Sequence, residues 1–175
     1  AVREFDEPAA VVVKHTNPCG VAVADTVSEA YDRALATDEM SAFGGIVALN
    51  RECDAATAEA VTDSFKEVVV APSFEDDALD KLREKESLRV LRTGELNGER
   101  DGWTTKSVEG GVLVQERDDL EVGRDDLEVV TEREPTEEEV QGMLYGYTVV
   151  KHVKSNAIVL ARENETVGVG AGQMS

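Results

Sequence analysis

The sequence predicts an α/β domain, in which a sheet of short strands is covered by helices. Residues 9–94 alternate short apolar runs with stretches whose apolar residues recur every three or four positions, the pattern of strands alternating with amphipathic helices. The chain has 175 residues, 41% of them hydrophobic, which is enough for one core. Both ends resemble interrupted elements, so we expect one domain or one piece of a larger one.

Strands and helices alternate through the first 94 residues. The first strand is predicted at 10–14, and the helix at 26–37 has Asp25 or Thr26 as its cap. Glycines lead into the next strand, and Asp54 caps the helix that follows it. The later elements of this unit are predicted as a strand at 44–49, a helix to about residue 65, a strand at 67–71, a helix at 75–85 and a strand at 88–91.

The chain changes character beyond residue 94. We predict an acidic surface excursion at 95–137, with one strand at 108–115, and the start of a second unit at 138–175. Three glutamates follow Pro135 and Thr136, which suits the positive end of a helix dipole. The buried stripe of this helix is predicted as Val140, Met143, Leu144 and Tyr147, and a hairpin is predicted from 157–160 and 166–169.

Charge and composition exclude several functions. The net charge is −19, from 37 acidic and 18 basic residues, so most of the surface would repel nucleic acid phosphates. No apolar stretch approaches the roughly 20 residues that span a bilayer, and no leader is visible. Cys19 and Cys53 lack metal-ligand or redox spacing. We therefore expect a cytoplasmic protein with buried or spectator thiols, no metal, and neither nucleic acid nor membrane as a partner.

The acidity also predicts a surface adapted to high salt, and so a halophilic source. Screening by salt removes the repulsion between like charges. On this hypothesis the fold loses stability as salt is lowered. Equal stability in dilute buffer and in molar salt would contradict it.

The most informative segment is the end of the first strand, where Lys14 and His15 are followed at once by a predicted Pro/Gly turn. An imidazole beside an ammonium, placed where the chain changes direction, could supply a proton acceptor and a positive charge to one reacting centre. The alternative is a basic pair that only solvates a turn. Residues 11–20 by themselves leave both interpretations open.

Two further segments carry candidate binding residues. Phe43, followed by Gly44 and Gly45, could stack on a flat heterocycle while backbone N–H groups approach it closely. It could equally be a core Phe beside a turn. Asn156 could present an acceptor and donors to an amide-bearing ligand, although Asn is also common in turns for local backbone reasons.

Five segments in one order resemble the transformylase domain of the bifunctional purine biosynthesis protein. That family joins 5-aminoimidazole-4-carboxamide ribonucleotide (AICAR) formyltransferase to IMP cyclohydrolase. The resemblance covers nearly the whole chain and weakens only between about 94 and 137. The five segments are KHTNPCG at 14–20, SAFGG at 41–45, VVVAP at 68–72, VKSNA at 153–157 and GVGAGQMS at 168–175.

The resemblance implies a cytidine-deaminase-like α/β fold, incomplete in its second half, and transfer of a formyl group from 10-formyltetrahydrofolate to AICAR without a metal. It implies that Lys14 and His15 are catalytic. Some relatives carry Asp where this chain has Glu67. Glutamate keeps the carboxylate and, with one more methylene group, lengthens its reach. The implied AICAR contacts are His15, Phe43, Gly44, Glu67 and Asn156.

The resemblance further implies that the cyclohydrolase domain and the folate-site residues lie outside this chain, and that the full-length protein is a homodimer. We therefore expect negligible activity from the chain alone. A competing hypothesis is a non-catalytic nucleotide-binding or assembly module. A third is an acid-rich α/β scaffold whose matching turns are purely structural.

Overall fold

The computed structural model describes residues 1–96 and 102–172. It confirms the α/β class: within these residues, seven strands form one sheet and two more form a separate hairpin. The strands are β1 (Ala9–Lys14), β2 (Asn17–Val23), β3 (Gly45–Leu49), β4 (Lys66–Ala71), β5 (Arg89–Arg92), β6 (Trp103–Val108), β7 (Gly111–Glu116), β8 (Ala157–Arg162) and β9 (Glu165–Ala171). The helices are α1 (Val27–Ala36), α2 (Glu39–Ala42), α3 (Ala55–Thr62), α4 (Asp76–Arg83) and α5 (Glu137–Val150), with short 3₁₀ turns at Val2–Glu4 and Arg124–Asp126.

The main sheet is mixed, with strand order β5-β4-β3-β1-β2-β9-β8. Strands β3, β4 and β5 run parallel to one another. The remaining neighbours pair in antiparallel fashion. Strands β1–β5, from the first part of the chain, therefore lie side by side, and the β8–β9 hairpin extends the sheet next to β2.

Helices cover both faces at the centre of this sheet. Successive side chains of a strand point to opposite faces, so Ala10 and Val12 of β1 join a core with α1, α3 and α4. Ala9 and Val11 join a second core with α5 and the β8–β9 hairpin. Full burial of a valine contributes roughly 1.5–3 kcal/mol, so β1 anchors both layers.

Helices α1, α3 and α5 begin where the sequence predicts, because polar side chains cap them; the short helix α2 was not predicted. Thr26 accepts a hydrogen bond from the Glu29 N–H, which decides between the two predicted caps of α1, and Asp54 accepts one from the Thr57 N–H. Thr136 accepts from the Glu139 N–H while the Glu139 carboxylate accepts from the Thr136 N–H. Such a cap contributes about 1 kcal/mol.

The chain turns earlier than predicted after β1. The turn consists of His15 and Thr16, whose φ angles are 49° and 68°, and the segment predicted as a Pro/Gly turn is already in β2. Pro18 has no N–H to give to a sheet. It lies opposite Val13, where the register shifts, and strands tolerate proline at such irregularities. The prediction was wrong because Asn, Pro and Gly are usual turn residues.

Helix α5 buries a different stripe from the one predicted. Val140 is buried as expected, but Met143 and Tyr147 are 51% and 42% exposed, while Tyr145 and Val149 are buried. A Cβ atom on Gly142 would lie 3.3 Å from the Cα of Arg162. The close approach of the helix backbone to β8 therefore sets its rotation, which helical periodicity by itself does not determine.

The acidic segment contains two strands rather than the one predicted at 108–115. Strands β6 and β7 pair through a tight turn at Glu109 and Gly110, and all their residues are exposed. Residues 97–101 of this segment, and residues 173–175 at the end of the fifth motif, lie outside the described residues. None of the helices in the described ranges is long and apolar enough to cross a membrane.

Candidate active site

The topology brings the predicted site residues to one edge of the main sheet. Strand β1 ends at Lys14 beside the beginning of β3, because the two strands are antiparallel. Strand β4 begins at the same edge, since it is parallel to β3. Strands β2 and β8 also begin there, and β9 ends there. We call this the Lys14 edge.

Lys14 is held in place by two backbone carbonyl groups. Its Nζ donates to the carbonyl oxygens of Phe43 and Gly44, at 2.9 and 3.0 Å. Gly44 has a φ of +66°, and a Cβ there would lie 3.0 Å from the Lys14 Nζ and 3.3 Å from the Phe65 ring. Residues with a side chain rarely adopt this backbone conformation. Glycine at position 44 therefore lets the ammonium group and the chain approach each other.

His15 lies in the two-residue turn between β1 and β2 and is exposed. The turn places it beyond the end of the strand, so its side chain is open to solvent. This position is compatible with proton transfer, which needs a titratable group within reach of both substrate and solvent.

Phe43 is not a core residue. Its side chain is 63% exposed, which contradicts the structural alternative considered for it. The ring packs on one side against Phe65, with centroids 5.4 Å apart and planes at 50°. It thus remains available on the sheet edge for stacking.

A cavity of about 370 Å³ opens at the Lys14 edge. Of the predicted site residues, Lys14, His15 and Phe43 line it, whereas Gly44, Glu67 and Asn156 do not. Glu67 is exposed as the second residue of β4. Lining residues beyond the predicted set are Asn17, Pro18, Cys19, Asp38, Met40, Ser41, Val169 and Ala171. Most of these lie inside the recognised motifs, and membership in those motifs was the signal that could have identified them.

Asn156 lies in the loop between α5 and β8, where its Oδ1 accepts from the Ser155 hydroxyl at 3.0 Å. The loop is tied to the Lys14 edge by the neighbouring residue. The Lys154 N–H donates to the Asn17 Oδ1 at 2.8 Å, and the Lys154 carbonyl accepts from the Gly172 N–H at 2.9 Å. His15 and Asn156 are thus on segments that meet, although neither side chain has a described bond to the other.

Two neighbouring groups of the cavity wall, Cys19 and Asp38, have shifted pKa values. Burial, followed by the nearby Asp38 carboxylate, raises the pKa of the Cys19 thiol above its ordinary value. Hydrogen bonding from Ser41 lowers the pKa of Asp38, whose Oδ1 accepts from the Ser41 N–H at 2.9 Å and caps α2. Asp38 is therefore a fixed negative charge. Both cysteines are buried and free, as expected of spectator thiols.

Other parts of the described chain are weaker candidates for an active site. A larger cavity of about 750 Å³ lies between α5 and β8, and its lining contains none of the predicted site residues. Among residues 1–96 and 102–172, no group of three His, Cys, Asp or Glu side chains is placed to hold a metal ion. The Lys14 edge is therefore the best candidate for an active site.

The fold and this cavity define an α/β protein with a lysine–histidine cleft at one edge of its sheet. The chain belongs to the AICARFT/IMPCHase bienzyme family, whose model matches residues 1–175. The resemblance inferred from the five motifs is thus confirmed at the level of the family.

Two curated relatives show how much of the family protein the chain represents. It is 52% identical over 174 residues to the bifunctional purine biosynthesis protein PurH of Thermoanaerobacter sp. and, equally, to that of Oceanobacillus iheyensis. Each match covers 99% of this chain and 34% of the relative, so the chain spans about a third of the relatives' length. Neither match bears on the high-salt hypothesis, which stays a prediction.

Proposed function

We propose that this chain carries the AICAR site and the catalytic pair of a formyltransferase of purine biosynthesis. In this reaction the 5-amino group of AICAR takes the formyl group of 10-formyltetrahydrofolate. The observation that carries the proposal is the meeting of Lys14, His15 and Phe43 around one cavity, in a chain of the AICARFT/IMPCHase family.

His15 is the proposed general base. The AICAR amine is a poor nucleophile because its lone pair is delocalised into the ring and the carboxamide. Its attack on the formyl carbon needs an acceptor for the amine proton as the C–N bond forms. An imidazole, whose ordinary pKa is near neutrality, suits this task. General acid–base help of this kind contributes about 10²–10⁴ in rate.

Lys14 is the proposed source of positive charge. Attack turns the formyl oxygen into an oxyanion, and the intermediate collapses when the bond to the folate nitrogen breaks and that nitrogen takes up a proton. An ammonium group has three N–H donors, and two are directed at the carbonyls of Phe43 and Gly44. The third can stabilise the oxyanion or protonate the departing nitrogen.

The remaining predicted residues bind AICAR in this proposal. Phe43 stacks on the imidazole ring through its exposed face. The backbone of Gly44 approaches the base, and the carboxylate of Glu67 accepts hydrogen bonds from it. Asn156 pairs with the carboxamide, since an amide side chain offers both an acceptor and donors.

The kinship with PurH supports several wider proposals. IMP cyclohydrolase activity and the folate-binding residues belong to the rest of a longer polypeptide, which works as a cytoplasmic homodimer. Formyltetrahydrofolate is a co-substrate here, and the reaction needs no metal. The net charge of −19 argues against nucleic acid as a partner.

A second candidate is a non-catalytic nucleotide-binding or assembly module. It is favoured by the length of the chain, which corresponds to only 34% of each relative. Such a module would bind AICAR at the Lys14 edge and never transfer the formyl group.

Calorimetric titration at high salt separates these two candidates from the purely structural scaffold. The enzyme and the module both predict that the 175-residue chain binds AICAR, whereas a scaffold binds neither AICAR nor the folate. Catalysis is tested in a chimera, in which this chain replaces the matching segment of the Oceanobacillus iheyensis PurH. Formyl transfer by the chimera supports the enzyme. AICAR binding without transfer favours the module, and absence of binding contradicts both.

A further inference from the structure

We propose that Asn17 is a positioning residue, which fixes the distance between the turn that carries His15 and the loop that carries Asn156. The proposal rests on the proposed formyltransferase function and assigns a role to a residue outside the predicted site. It concerns two hydrogen bonds made by one side chain.

Asn17 faces both segments at once. Its Oδ1 accepts a hydrogen bond from the Lys154 N–H at 2.8 Å, across 137 positions of sequence. Its Nδ2 donates to the carbonyl oxygen of His15 at 3.4 Å. The first bond has the usual length of an N–H···O bond, while the second is long. The acceptor bond to Lys154 therefore contributes most.

The two segments that Asn17 joins are exposed, and the loop has a further tie through the hydrogen bond from the Gly172 N–H to the Lys154 carbonyl. The turn consists of His15 and Thr16, both with positive φ, and both are exposed. Lys154, Ser155 and Asn156 are exposed too. Asn17 is half-buried and lines the 370 Å³ cavity beside Lys14 and His15. It thus ties two exposed segments from the inner wall of the site.

The bond matters for catalysis because rate depends steeply on geometry. A misplacement of about 1 Å can lower the rate of an enzyme by about 10²-fold. If Asn17 sets the position of the loop, its loss displaces Asn156 relative to His15. AICAR then binds less tightly, and its amine lies farther from the imidazole.

The test compares Asn17→Ala with Asn17→Asp in the PurH chimera. Alanine removes the acceptor, and we expect kcat to fall about tenfold to a hundredfold with a higher KM for AICAR. The KM for the formyl donor should not change, because the donor's binding residues are proposed to lie outside this chain. Aspartate keeps the acceptor for the Lys154 N–H and should recover most of the rate. Asn164→Ala, in the β8–β9 turn at the other end of the sheet, is the matched control.

A second measurement does not depend on activity. Amide exchange of Lys154, followed by NMR in the 175-residue chain, should accelerate in Asn17→Ala and stay slow in Asn17→Asp. Unchanged kcat in the alanine variant, or an aspartate variant as slow as alanine, would overturn the proposal. A wild-type chimera without formyl transfer would instead contradict the proposed function, and amide exchange would still decide whether Asn17 joins the two segments.

Discussion

The Lys14 edge and the β6–β7 hairpin are built in opposite ways. At the Lys14 edge, side chains bind partners 30 and 137 positions away, as Lys14 binds Gly44 and Asn17 binds Lys154. In the hairpin, β6 pairs with the strand that follows it after a turn, and every residue of both strands is exposed. The difference indicates that distant contacts position the candidate chemistry, whereas local pairing is enough for a surface hairpin.

The largest expected effect comes from His15, which tests whether the Lys14 edge is catalytic at all. In the PurH chimera, His15→Ala should lower kcat by about 10²–10⁴-fold because the amine loses its proton acceptor. Binding of AICAR, measured by calorimetry, should weaken only modestly. Near-normal turnover in this variant would remove His15 from the mechanism and leave the binding module as the better hypothesis.

The next effect concerns Gly44, whose carbonyl accepts a hydrogen bond from Lys14 and whose backbone is proposed to approach AICAR. Gly44→Ala forces a side chain into the left-handed region, at a cost of about 1–2 kcal/mol, and adds a Cβ 3.0 Å from the Lys14 Nζ. We expect a lower free energy of unfolding and a lower kcat in the chimera. Gly94→Ala is the matched control, since Gly94 has a φ of +72° but no atom within 4 Å of an added Cβ.

Comparing the two glycines separates backbone strain from contact with Lys14. Urea unfolding should show a lower free energy of unfolding for both variants, because both glycines have a positive φ. Only Gly44→Ala should lower kcat. Equal kcat values for the two variants would mean that the approach of Lys14 to Gly44 has no part in catalysis.

A smaller effect is expected from Asp38, which caps the short helix leading to Phe43. Asp38→Ala should lower the free energy of unfolding by about 1 kcal/mol, the usual contribution of such a cap. The folded protein lowers the pKa of Asp38 below 3.8. Its charge therefore stabilises the fold above that unfolded-state value, and this contribution is lost as pH falls through the lower folded value.

The pH dependence gives Asp38 a specific signature. Urea unfolding of wild type and Asp38→Ala at pH 7 and at pH 3 should show a larger difference in stability at pH 7. A difference that is constant or grows towards acid pH would contradict the assignment of the lowered pKa to this cap.

The smallest effect is expected in the hairpin. Replacing residues 104–115 by a short Gly/Ser linker should leave the Kd for AICAR of the 175-residue chain within about twofold, because no hairpin residue lines the cavity at the Lys14 edge. The replaced side chains are exposed, and changes at such positions usually alter stability by less than about 0.5 kcal/mol each. Loss of AICAR binding would show that the two regions are coupled.

Much of the fold could be predicted from local patterns. The apolar run of β1, the cap Asp54, one of the two alternative caps of α1, the start of α5 after Thr136 and the final hairpin are all present. These features depend on a few neighbouring residues, whose periodicity and capping chemistry are visible in the sequence. Strand β2 was missed because its Asn, Pro and Gly favour turns locally, while its place between β1 and β9 makes it a central strand.

The candidate site could be predicted only in part. The motifs singled out Lys14, His15 and Phe43, which line one cavity. Asn17 lies inside the first motif and Asp38 lies outside all five, but neither was predicted as a site residue, because their importance comes from the groups that they contact. The predicted roles of all six residues stay predictions, and Gly44, Glu67 and Asn156 share the Lys14 edge without lining that cavity.

The sequence by itself determined the α/β class, the order of most elements and the family, because each follows from residues close together in the chain or from motifs in a fixed order. Only the tertiary structure decided which face of α5 is buried, that the chain turns at His15 and Thr16, and that residues 17 and 154 meet. These features depend on the packing of segments far apart in sequence, and a local sequence pattern does not determine the free energy of such contacts.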